Sequence, residues 1–161
     1  LENMMWKIAP GMTGLELNAF AEKEIKSHGA IPAFKGYKNF PHSVCISINN
    51  ELVHGIPSTR KFQKGDVVGL DFGVIYKHEE PDVPNIGLAG TRHLLRAGMA
   101  LALEPMIAMG NPATIVGDDK WTVLIKDGSL GAQFEHTVYI DANGFPIVTT
   151  RRPSEKIKYS L

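Results

Sequence analysis

Apolar residues recur at helical spacing early in this chain and at strand spacing later. Residues 1–9 read as helical, and Pro10-Gly11 ends that stretch. Thr13 is followed three positions later by Glu16, the spacing of a capping box. A helix is expected over 14–27, with Leu17, Phe20, Ala21 and Ile25 on one side and His28-Gly29 closing it. Residues 31–41 are turn-rich and aromatic. The period then shortens. Residues 44–48 alternate as a strand, Asn49-Asn50 reads as a hairpin turn, and Leu52-Val53 starts the return. A nearly continuous apolar run over 67–76 has the pattern of a buried strand. Further strands are expected over 99–109, 121–125, 134–140 and 146–149. The fold class is α+β, in a single domain spanning 1–161, with strands dominating after residue 43.

Charge narrows the function classes. Lys+Arg and Asp+Glu both number 17, so the net charge is zero. That argues against nucleic acid or an anionic membrane surface as the main partner. Cys45 is the only cysteine, so no internal disulfide forms and a reducing, cytoplasmic setting is expected. No apolar run approaches the length of a membrane span. The chain opens on Leu1 inside helical sequence, which suggests that the gene starts upstream.

Three carboxylates stand out against this background. Asp71 lies between Leu70 and Phe72, Glu104 between two apolar runs, and Glu135 between Phe134 and His136. Any one of them is readily explained as the polar face of its own strand. For all three together that explanation weakens, because none shows clean alternation and no basic residue is near in sequence. A buried carboxylate must be protonated, paired with a cationic side chain, or bound to a cation. Several converging carboxylates make a hard, oxygen-rich cation site. Pro105 also restricts Glu104 to extended backbone. His54, before Gly-Ile-Pro, and His78, before Glu-Glu-Pro, sit at the edges of extended segments beside rigid backbone. Each alone is more often an ordinary satisfied polar residue.

Longer blocks carry a resemblance. Phe40-Pro41-His42-Ser43-Val44-Cys45-Ile46-Ser47-Ile48-Asn49 and Val53-His54-Gly55-Ile56-Pro57 closely resemble the type I methionine aminopeptidases. So do Gly65-Asp66-Val67-Val68 with Asp71-Phe72-Gly73, the block from His78 to Asn85, and Leu103-Glu104-Pro105-Met106. Trp121-Thr122-Val123, Lys126-Asp127-Gly128-Ser129 and Phe134-Glu135-His136-Thr137 follow in family order.

The resemblance implies a pita-bread fold and removal of the initiator methionine when the next residue is small. It implies two divalent cations, cobalt, manganese, iron or zinc, with Asp71, Glu104 and Glu135 among their ligands. Glu104 would shuttle the proton of the attacking water. His54 would contact substrate near the scissile amide, and His78 would stabilise the oxyanion. Tyr37, Phe40, Cys45 and Trp121 would line the methionine pocket. The expected partner is a peptide or nascent-protein N-terminus beginning with Met, bound by a monomer.

The sequence also departs from that family. Its pattern places a second Asp, a mostly helical stretch and a metal-binding His after the first Asp strand. Here Val74-Ile75-Tyr76-Lys77 runs directly into His78. Asp82 falls within the Glu-Pro-x-Val-Pro block, so it is not assigned to metal. Either this sequence omits a stretch between Lys77 and His78, or the deletion is real. An inactive relative that binds peptide N-termini is the alternative function.

Overall fold

The computed structural model describes residues 2–75, 88, 90 and 94–152. The chain divides into two compact units, Leu1–Lys77 with Met106–Gln133, and His78–Pro105 with Phe134–Leu161.

In the first unit, α1 (Glu2–Lys7) and α2 (Gly14–Ser27) precede the sheets. Helix α2 starts as its sequence dictates. The Thr13 hydroxyl accepts the Glu16 N–H at 3.2 Å, and the Glu16 carboxylate accepts the Thr13 N–H at 2.8 Å. These reciprocal bonds satisfy donors that the first helical turn leaves open. Leu17, Ala21 and Ile25 are buried, whereas Phe20 is only half-buried. Leu17 and Ala21 join Met4, Val44, Ile46, Ile48 and Phe62 in one apolar cluster.

Strand β1 (Ile31–Pro32), a 3₁₀ turn (Tyr37–Asn39) and β2 (Cys45–Ile48) follow. Every residue of β2 is buried, so its Ser47 does not mark a wet face. The Ser47 hydroxyl instead accepts the Gly55 N–H at 3.1 Å.

Strands β3 (Glu51–Val53), β4 (Val68–Asp71) and β5 (Val74–Ile75) come next. Asn49-Asn50 is a turn as expected, but β2 and β3 do not form a two-stranded ladder with each other. Strand β2 pairs antiparallel with β4, and β3 pairs with the later strand β9. The Glu51 side chain accepts the Ile48 N–H at 2.8 Å, which takes that donor out of a hairpin ladder. The apolar run over 67–76 is likewise not one buried strand. It breaks at Phe72-Gly73 and β4 is half-buried throughout. At that break the Gly73 carbonyl accepts the Ala33 N–H at 2.9 Å, and β5 turns to pair with β1.

Strands β6 (Ala100–Leu103), β7 (Met106–Ala108), β8 (Thr114–Val116) and β9 (Val123–Ile125) follow, then β10 (Gly131–Gln133), β11 (His136–Ile140) and β12 (Pro146–Val148). In the first unit β3, β9 and β8 make one antiparallel sheet, and β7 pairs with β10. In the second unit β11 lies between β6 and β12. The expected strand over 99–109 is two strands, separated at Glu104-Pro105 because proline cannot donate to a ladder. No helix among the described residues is long and apolar enough to cross a membrane.

Candidate active site

An aromatic cluster forms within the first unit. The Phe40 ring is buried and lies edge-on to Trp121, with centroids 5.0 Å apart. The His54 ring stands edge-on to the same Trp121 at 6.2 Å. Phe34, which the sequence reading did not single out, packs edge-on to Phe40 at 6.5 Å. Such edge-to-face pairs suit the ring quadrupoles. Three of the expected site residues, Phe40, Trp121 and His54, are therefore side by side. Tyr37 is exposed at the 3₁₀ turn between Phe34 and Phe40.

The backbone that carries His54 is strained. His54 has φ +59°, in the left-handed region that non-glycine residues rarely enter. Gly55 must follow it, because a Cβ there would run into the Ile46 carbonyl. The Gly55 carbonyl in turn accepts the Ile46 N–H at 2.8 Å. This close approach of two backbones fixes His54 at the end of β3, beside Trp121.

Cys45 and Asp71 are direct partners across the β2–β4 ladder. Facing residues of an antiparallel pair have side chains on the same side of the sheet. Burial, with the Asp71 charge adding to it, pushes the Cys45 thiol up to about 12. The thiol is thus neutral and behaves as a small apolar surface.

Glu104 and Glu135 occupy opposite backbone positions within the second unit. Leu103 pairs with His136, and the Phe134 N–H donates to the Pro105 carbonyl at 3.1 Å. Glu104 and Glu135 lie between these two links, so they face each other across the ribbon. The expectation that the three carboxylates are buried is not met. Asp71 and Glu104 are half-exposed and Glu135 is exposed. Their apolar neighbours misled the reading: Leu103 and Phe134 are themselves 51% and 62% exposed. Apolar flanks on a narrow ribbon do not imply an interior. Among the described residues, no three His, Cys, Asp or Glu side chains gather as a metal-holding group. His78 lies outside the described residues.

Residues 1–79 match the family model for metallopeptidase family M24. The methionine aminopeptidase of Clostridium perfringens is 32% identical, in an alignment that covers 89% of this chain and 87% of that protein. This chain belongs to the methionine aminopeptidase family. Methionine aminopeptidase 1 of Bacillus subtilis is 30% identical, with 92% and 90% covered. The crystal structures of the methionine aminopeptidases from Rickettsia prowazekii and Thermotoga maritima superpose with TM-scores of 0.84 and 0.85, at 28% and 27% identity. They cover 93% and 94% of this chain, and 90% and 91% of their own lengths is matched. The fold is the pita-bread fold of this family. The C. perfringens alignment runs over 217 residues, more than the 161 of this chain, so it crosses residues of that relative for which this chain has none.

Methionine aminopeptidases of family M24 are metalloexopeptidases, and membership implies divalent cations. The donor chemistry present is suitable, since two carboxylate residues at opposite positions of an antiparallel ribbon suit a hard divalent cation. Glu104 and Glu135 would hold such an ion. The second Asp and the metal His that the resemblance implies have no counterpart in this sequence.

Proposed function

We propose that this chain hydrolyses the bond after an N-terminal methionine in peptides and nascent proteins whose second residue is small. The observation that carries the reading is the facing pair Glu104–Glu135, on the ribbon where the family keeps two of its metal carboxylates. The cluster of Phe40, Trp121 and His54 supports it from the first unit.

Each residue then has a chemical task. The Phe40 and Trp121 rings, with Tyr37 and the neutral Cys45 thiol, offer an apolar, polarisable surface to an unbranched thioether. His54 hydrogen-bonds substrate near the scissile amide. The Glu104 carboxylate takes a proton from the attacking water as the new C–O bond forms. It returns that proton to the amide nitrogen as the C–N bond breaks. His78 donates to the oxygen that gains negative charge. A divalent cation, which Glu104 and Glu135 would hold, would supply the charge that polarises the carbonyl and activates water. Cobalt, manganese, iron and zinc all suit this role. A monomer in the cytoplasm, where new N-termini emerge, is the setting that fits.

The test is a pair of substrates and one variant. Met-Ala-Ser should be hydrolysed and Met-Leu-Ser spared. Glu104→Gln should lower turnover about a hundredfold or more, the range for loss of a positioned acid–base group, with an unchanged circular dichroism spectrum. Saturable binding of Met-Ala-Ser with no hydrolysis by the wild-type chain would instead identify a binding module.

A further inference from the structure

Trp121 is not placed by its own packing alone. Strands β8 and β9 are antiparallel neighbours, and Trp121 lies in the loop that joins them. That loop is closed by two backbone bonds. The Gly117 N–H donates to the Thr122 carbonyl at 2.8 Å, and the Lys120 N–H donates to the Gly117 carbonyl at 3.0 Å. Lys120, immediately before Trp121, is left-handed at φ +66°. A lysine has no intrinsic preference for that conformation, so something must hold it there.

Asp119 supplies the constraint. One carboxylate oxygen accepts the Trp121 N–H at 2.9 Å and the Thr122 N–H at 2.8 Å. The other accepts the Thr122 hydroxyl. Thr122 is buried, which anchors the far end of the clamp. The carboxyl is held below its usual range: partial burial opposes this, but the bonds from Thr122 and Trp121 outweigh it. Asp119 is therefore a charged acceptor for three donors. Charge-assisted bonds of this kind are about twice as strong as neutral ones.

We infer that Asp119 is a positioning residue for substrate selection: its carboxylate clamps the β8–β9 loop so that the Trp121 ring stands against Phe40 and His54 and forms a wall of the methionine pocket. Asp119 touches no substrate. Its effect reaches the substrate only through the ring of Trp121. The inference rests on the proposed methionine pocket.

The experiment uses the full chain with Trp6→Phe. Trp6 is 87% exposed on α1, and its removal leaves Trp121 as the sole indole of the two in the sequence. Asp119→Ala and Asp119→Asn are compared in that background. With Ala, indole emission shifts to the red, and KM for Met-Ala-Ser rises about tenfold, the equivalent of losing one or two such bonds. The turnover number stays within about twofold, because the reacting groups lie elsewhere. Asn keeps the oxygen that accepts both N–H groups, so it restores emission and KM. Unchanged emission and KM in Asp119→Ala would overturn the inference. So would a fall in kcat with no change in KM, or a failure of Asn to rescue. If the parent hydrolyses nothing, the proposed activity fails by itself. Titration of Trp121 emission with free methionine then still decides whether Asp119 shapes the pocket: a weaker binding in Asp119→Ala supports it, and equal binding rejects it.

Discussion

His54 combines a proposed chemical role with a conformational cost. A left-handed residue other than glycine or asparagine costs about 1–2 kcal/mol, and His54 adopts φ +59° at the end of β3. Asparagine tolerates that region better but lacks the imidazole. His54→Asn is therefore expected to leave the melting temperature unchanged or slightly raised, while Met-Ala-Ser hydrolysis falls. A lower melting temperature would show that His54 serves the fold and not the site. Gly55 is the complementary case. Gly55→Ala forces a Cβ into the Ile46 carbonyl and should destabilise the chain by about 3 kcal/mol, the upper end of overpacking costs. A urea unfolding midpoint measures it. The sequence shows Gly55 as part of a motif, but not that its hydrogen occupies the space between two backbones.

The element scale shows why some of the fold could be read in advance. Helix α2 follows from local rules alone, since Thr13, Glu16 and the spaced apolar residues act within a few positions of each other. Thr13→Ala should cost about 1 kcal/mol, the usual value of an N-cap. Strand partners depend on distant residues. Nothing near Asn49-Asn50 reveals that β2 pairs with β4 and β3 with β9. Strands β1, β8 and β10 escaped notice because two or three paired residues carry no period. The candidate site divides the same way. Glu104 and Glu135 drew notice as carboxylates flanked by apolar residues, His54 by its place beside Gly-Ile-Pro, and Phe40 and Trp121 through the family resemblance, whereas Asp119 became visible only through its hydrogen bonds.

Helix α2 is also tied to the segment that carries Phe40. The Glu22 carboxylate accepts Lys35 Nζ at 2.7 Å, the Ser43 hydroxyl at 3.0 Å and Asn18 Nδ2 at 3.3 Å. Asn18 Oδ1 accepts the N–H of the fully buried Ser43 at 3.0 Å. The Lys35 bond, with those from Ser43 and Asn18, holds the Glu22 carboxyl below its usual range despite some burial. A lowered folded pKa stabilises the native state above the unfolded pKa and loses that effect as pH falls through the folded value. The melting-temperature gap between wild type and Glu22→Gln should thus be constant above about pH 5 and shrink below about pH 4, given an ordinary Glu near 4.3. A gap that widens in acid would contradict this.

For the whole molecule the decisive quantity is metal. Family membership implies divalent cations, and Glu104 and Glu135 are proposed to hold one. Elemental analysis of the purified chain should therefore find divalent metal that chelator removes. The proposed activity is hydrolysis after methionine by these residues. Its most direct test is mass spectrometry of Met-Ala-Ser incubated with the chain, first stripped of metal by chelator and then supplied with manganese or cobalt. An intact peptide is expected with the stripped chain, and free methionine plus Ala-Ser once the metal is restored. A folded, metal-loaded chain that leaves the peptide intact would contradict it.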